Sequence, residues 1–321
     1  MSVFDFSTAE SSIANLACLL AILFGFMLFL KKVHDALFGD DVDYSFRKIS
    51  SPTFRKNKSK RFAGVEIECI RQGLLEVSKL EAGKYHFSKS YDGSLSSSGV
   101  EFSSQPSQGD KLLEIVSNFC GVLNKNKYDT NTTCGLHIHL EQKPDIKMLQ
   151  KILLFYHKYE DLFFDMLPNS RRDNSYCIRF KKILSSDDII KMLITKNCMD
   201  FKRIFYETTD PSKYTSTKSN DKRYCWANFH SIFYRGTLEI RAHSGTVNSE
   251  KINKWLLIHL RVLDYLKDSS ISKISRLKAD KKTFLKLFND DLSEYIQKRW
   301  NTFSDNKNGE RNLEFQEVQN V

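Results

Sequence analysis

Gly64-Val65-Glu66-Ile67-Glu68 and Leu136-His137-Ile138-His139-Leu140 decide how this chain is read. In both, apolar and ionisable residues alternate one for one. A side-chain period of two is the strand period, so each segment is a strand with one dry face and one wet face. Val65 and Ile67 face one way on the first, and both carboxylates face the other. On the second, three aliphatics oppose two imidazoles. Val100-Glu101-Phe102 and Leu238-Glu239-Ile240-Arg241 repeat the pattern. The wet positions are therefore Glu66, Glu68, Glu101, His137, His139, Glu239 and Arg241, with no Lys among them. A single half-solvated antiparallel strand alternates by default. Four strands carrying this residue set point to chemistry instead. Three acidic strands on one sheet face repel unless a cation lies between them. Mg²⁺ takes oxygen ligands and suits carboxylates spread over several strands, while an imidazole in the shell suits Mn²⁺ or Zn²⁺ better. Zinc hydrolysis competes for the same residues. Its two His, about 6.6 Å apart along a strand, would have to converge on one metal with a third ligand.

Working outward, strands are expected at Phe62 to Ile70, Lys84 to Lys89, Gly99 to Ser103 and Gly135 to Leu140. Trp226 to Tyr234 and Thr237 to Ala242 read as a hairpin about an Arg235-Gly236 turn. Helical spacing appears in Asp110 to Leu123, in Ile146 to Leu167 and in Ser185 to Thr195, with Ser186 as N-cap. It returns in Ser249 to Leu266 and Lys281 to Trp300. Hairpin-joined strands with helices between them indicate α+β, not a doubly wound parallel sheet.

The 321 residues carry 49 Lys and Arg against 39 Asp and Glu, a net charge of +10, with 41 % apolar residues and only 13 Gly and 5 Pro. That composition excludes collagen-like and disordered chains. The seven Cys are odd in number and contain no CxxC, which argues for free thiols in a reducing compartment and against a disulfide framework. Leu16 to Leu30 has no polar side chain, and Lys31 and Lys32 end the run. Residues 13–32 therefore read as a single membrane-spanning anchor after a short tail, 1–12. Its charge flanks place the rest of the chain in the cytoplasm. Residues 33–61 form a linker in which Arg47, Lys48, Arg55, Lys56, Lys58, Lys60 and Arg61 meet no acid. Such a segment lies against anionic lipid, binds nucleic acid or is merely solvated. A catalytic domain is expected over 62–300, and a polar tail over 301–321.

Five motifs in order carry a resemblance. They are GVEIE (64–68), DGSLSSSGVEFSSQP (92–106), CGLHIHL (134–140), LPNSRRDNSYC (167–177) and ANFHSIFYRGTLEIRAHSGT (227–246). Together they resemble the amidoligase family of the carboxylate–amine ligase superfamily, distantly similar to glutamine synthetase. The resemblance implies a curved antiparallel sheet of the glutamine synthetase catalytic type with helices on its outer face. It implies ATP with Mg²⁺ on the wet face, and amide formation between a carboxylate-bearing and an amine-bearing substrate through an acyl phosphate. Carried over by position, Glu66, Glu68, Glu101, His137 and Glu239 are metal ligands. Glu66, Glu101 and Arg241 are catalytic, while His139, Arg171, Arg172 and Asn228 hold nucleotide or substrate with Glu68 and Arg241. A peptide, an amino acid or an envelope precursor fits such a ligase at a membrane; nucleic acid does not. The alternatives are a metal-dependent hydrolase using the His pair and a non-catalytic binder on a ligase-like fold. His243, two residues after Arg241, reads equally as ligand or rim. Cys134 reads as a small buried residue, and Asp92-Gly93 as a turn.

Overall fold

The computed structural model describes residues 59–73, 76–91, 95 and 99–304. The described residues fall within one contact unit, Ser50–Val321, separate from Met1–Ile49. The expected anchor, most of the basic linker, the Asp92-Gly93 turn and residues 305–321 lie outside them. No helix among the described residues is long and apolar enough to cross a membrane.

One sheet contains β1 (Phe62–Arg71), β2 (Phe87–Ser90), β3 (Gly99–Ser104), β4 (Ser107–Gln108), β5 (Tyr128–Asp129), β6 (Gly135–Glu141), β7 (Ala227–Asn228) and β8 (Thr237–Ser244). The order is β2-β3-β1-β6-β8-β7, every pairing is antiparallel, and β4 and β5 pair with the two ends of β1. The longer helices are α1 (Gly109–Lys125), α2 (Ile146–Lys158), α3 (Ser186–Ile194), α4 (Cys198–Tyr206), α6 (Ser249–Lys267) and α7 (Asp290–Ser304), with the shorter α5 (Phe229–Arg235) between β7 and β8. The class is thus α+β with an open antiparallel sheet, as the alternation predicts.

The dry faces make the core. Val65, Ile67, Cys69, Val100, Phe102, Leu136, Ile138, Leu140, Leu238 and Ile240 are all at most 3 % exposed. Against them α1 presents Leu112, Ile115, Val116, Phe119, Cys120 and Leu123, one stripe at helical spacing. The Phe119 ring meets Phe102 at 5.1 Å. Burying each such side chain contributes about 1.5–3 kcal/mol, which pins the register: a one-residue slip would turn the whole wet set inward.

Several elements differ from expectation. Trp226 to Tyr234 is not a strand; only Ala227–Asn228 pairs with β8. The Asn228 side chain accepts the Ser231 N–H and starts α5, which ends at Gly236 in the left-handed conformation, φ 77°. The run Ile146 to Leu167 is broken at Tyr159. There Lys158 Nζ donates to the Ser275 and Leu277 carbonyls, at 2.5 and 2.8 Å, and the Tyr159 hydroxyl to that of Lys278. Lys281 to Trp300 divides into a short Lys281–Leu285 helix and α7, whose start Asn289 caps. α7 runs to Ser304, past the expected end of the domain at 300. Lys84 closes a short helix, Lys79–Lys84, and the strand begins only at Phe87. Ser185, not Ser186, caps α3, in a capping box with Asp188.

Candidate active site

The register brings the wet residues into rows. Glu66 lies opposite His137, and Gly64 opposite His139, across the β1–β6 pair. Glu68 faces Glu101 across β1–β3, and His139 faces Glu239 across β6–β8. Residues 175 positions apart in the chain therefore share one patch because three strands lie side by side.

At its centre Glu66, His137 and Glu239 each offer a ligand atom, and the three atoms lie within 4.8 Å of one another. Two carboxylate oxygens and an imidazole nitrogen form a donor set that suits a divalent cation. His137 Nδ1 sits 3.2 Å from Glu66 and 3.7 Å from Glu239, and its Nε2 sits 3.6 Å from Glu68. Glu68 is not one of the three, although one of its oxygens faces His137. Its Oε2 accepts the Gly135 N–H at 2.5 Å, which locks the start of β6. His139 Nδ1 lies 3.0 Å from the Thr237 hydroxyl, and its Nε2 3.1 Å from Glu66. That Nε2 also lies 4.0 Å from Glu239, so His139 borders the triad, although the three ligand atoms within 4.8 Å of one another come from Glu66, His137 and Glu239.

Glu239 is held from two further sides. The Asn228 amide donates to its Oε2 at 2.7 Å, and Arg241 Nη1 pairs with its Oε1. Arg241 Nε donates to the Tyr176 carbonyl at 3.1 Å. Burial alone would raise the Glu239 carboxyl, but Arg241 and both imidazoles outweigh it and bring it down to about 2. Glu66 follows the same logic: burial opposes its charge, and His139 and His137 hold it well below the usual carboxylate range. Glu101 goes the other way, raised by burial and by the Glu66 charge, although it accepts from the Ser90 hydroxyl at 3.0 Å.

Glu66, Glu101, His137, Asn228, Glu239 and Arg241 line a cleft of about 530 Å³, open space at its mouth included. Lys218, Arg223, His230, Tyr234 and Arg235 also line it. Arg235 Nη1 approaches Glu66 to 3.7 Å. His230 accepts from the Tyr206 hydroxyl at 2.6 Å, and its Nε2 donates to the Thr217 carbonyl at 2.9 Å, which fixes the loop bearing Lys218. None of these five was expected at the site; Arg235 was read as a turn residue. The available signal was the density of Lys and Arg between 213 and 235.

Two predicted binders are elsewhere. Arg171, 3 % exposed, donates to the Arg241 and Ala242 carbonyls at 2.7 and 3.2 Å. Arg172 donates to the Leu167 and Phe303 carbonyls and ties α7 to the domain. Both point at backbone, not into the cleft. His243, 1 % exposed, lies 5.1 Å from the Trp255 ring of α6, on the dry side. Cys134 is buried, as expected, and burial raises its thiol.

A family model described as "Putative amidoligase enzyme" matches residues 74–263, more than half of the chain. The chain belongs to this amidoligase family. No curated protein and no solved structure matches it. The amidoligase match contains Glu101, His137, His139, Glu239 and Arg241, but β1 precedes it, so Glu66 and Glu68 complete the patch from outside the matched stretch. Membership supports a ligase-type enzyme.

Proposed function

We propose that this amidoligase joins a carboxylate to an amine at the expense of ATP, through an acyl phosphate. In this reading residues 13–32 anchor it in a membrane, with the catalytic domain in the cytoplasm. The observation that carries the reading is the meeting of Glu66, His137 and Glu239 within 4.8 Å, beside the Arg241 and Arg235 guanidinium groups. Cation donors and anion-binding groups on one cleft wall are what phosphoryl transfer asks of a protein.

Glu66, His137 and Glu239 hold Mg²⁺, or Mn²⁺ in its place. The ion, when bound, neutralises charge on the nucleotide phosphates. Asn228 and Arg241 fix the direction of Glu239, and His139 that of Glu66. Arg241 and Arg235 face the charge that builds as a substrate carboxylate oxygen bonds to the γ-phosphorus and the bond to ADP breaks. The amine nitrogen then bonds to the acyl carbon, phosphate leaves, and Glu101 takes the proton that the nitrogen sheds. A peptide, an amino acid or an envelope precursor supplies the two reacting groups.

Calorimetric titration of Mg²⁺-ATP into the full chain tests this. Glu66→Gln and Glu239→Gln are each expected to weaken binding by at least about tenfold, a loss of about 1.4 kcal/mol. A folded wild-type chain that binds no Mg²⁺-ATP would overturn the proposal.

A further inference from the structure

β8 carries one residue more than its partner where it passes the site. Ile240 pairs with Ile138 and His243 with Leu136, so Arg241 and Ala242 together oppose the single residue His137. This is a β-bulge, which bends the strand and re-aims side chains. Its effect is visible on both sides. Arg241 points into the cleft beside Glu239. His243, which an unbroken alternation would place on the same face, turns to the helices and packs on Trp255. A bulge also takes carbonyls out of the ladder, and buried carbonyls need donors. The Arg171 guanidinium supplies them, with Nη2 to the Arg241 carbonyl at 2.7 Å and Nε to the Ala242 carbonyl at 3.2 Å. Both belong to the bulged pair. Arg171 is the one buried residue of the short helix Asn169–Arg172, which lies against β8.

We infer that Arg171 is a positioning residue: it fixes the β8 bulge and so sets the aim of Arg241, of Glu239 and of the facing His137. The inference about site geometry rests on the cation site proposed above, whereas the anchoring of β8 does not. A planar guanidinium can satisfy two adjacent carbonyls at once with its fork of donors; an ammonium holds them less well.

The test uses the full chain as wild type, Arg171→Ala and Arg171→Lys, each with and without millimolar methylguanidinium. Amide hydrogen exchange is read by mass spectrometry peptide by peptide, and Mn²⁺ affinity by calorimetry. In Arg171→Ala, exchange over 237–244 is expected to rise about tenfold while β1–β3 peptides stay near wild type, with Mn²⁺ binding about tenfold weaker. Methylguanidinium is expected to restore both. Arg171→Lys is expected to show a smaller version of the same local change, and it decides the matter if the Ala variant does not fold. Unchanged β8 exchange, a uniform rise over the whole domain, or faster β8 exchange with wild-type Mn²⁺ affinity would each overturn the inference. If wild type binds no Mn²⁺, it is the proposed cation site that fails, and β8 exchange alone then decides on Arg171.

Discussion

Gly135 occupies a position where a side chain has no room. A Cβ there would stand 2.9 Å from His137 Nε2 and 3.2 Å from Glu68 Oε2. Both neighbours are side-chain ends that can shift, but shifting them moves the site. Gly135→Ala is therefore expected to lower stability by about 1–2 kcal/mol and to weaken Mn²⁺ binding several-fold. Urea unfolding and calorimetry check the two effects; a variant with wild-type values in both would show that the close approach is not what holds His137. At this scale the wet-face residues were legible in the sequence because a period of two assigns each to a side without knowledge of the partner strand. Arg171 and Arg172 were not. Their partners are main-chain carbonyls, which leave no mark in sequence, so an Arg bound to backbone reads like an Arg bound to substrate. His243 was undecided because one inserted residue reverses its face, and no residue type announces that insertion.

Among the elements, α5 shows how a short helix can pass for a strand. Phe229, Ile232 and Phe233 have helical spacing, yet they follow Trp226 and Ala227 in an aromatic-rich stretch that reads equally well as extended. Asn228 decides between them by capping, since its Oδ1 accepts the Ser231 N–H while its Nδ2 donates to Glu239. One side chain thus starts a helix and orients a ligand. Asn228→Ala is expected to cost about 2–4 kcal/mol, the sum of a lost cap and a lost hydrogen bond to a buried carboxylate. Asn228→Ser, which restores the cap alone, is expected to recover about 1 kcal/mol of that. Unfolding midpoints for the three chains give the comparison, and equal midpoints for Ala and Ser would remove the capping role. β1, β3, β6 and β8 were legible to within two residues at each end, whereas β2 was expected three residues early and β4 and β5 not at all. The break at Tyr159 was not legible either, because the carbonyls that Lys158 and Tyr159 reach, at 275–278, lie in no local window.

For the molecule as a whole, acid is the expected threat. His259 is fully buried under Trp255, Phe163 and Tyr156, with Nδ1 2.8 Å from the Tyr156 hydroxyl. Burial pushes it down to about 3. The unfolded chain takes up this proton near pH 6.5 and the folded chain does not. The stability that neutral His259 contributes is therefore complete above pH 6.5 and lost as pH falls from there toward 3, by up to about 4 kcal/mol. Unfolding free energies from pH 7 to 4 are expected to fall with a slope that His259→Phe flattens; an unchanged slope would assign the acid sensitivity to other groups. The same architecture sets an order of events during synthesis. β1 is made first among the strands, yet it pairs with β3, β4, β5 and β6, and the sheet is finished only when β8 is made. Between Arg71 and Ser244 lie about 170 residues, which at ordinary elongation rates takes on the order of ten to thirty seconds. Nascent chains arrested near residue 200 are expected to be digested readily by protease, and chains arrested well past α7 to resist. Through that interval the strand with the most partners has the fewest, and a chaperone that shields alternating Val and Ile would be guarding the future middle of the sheet.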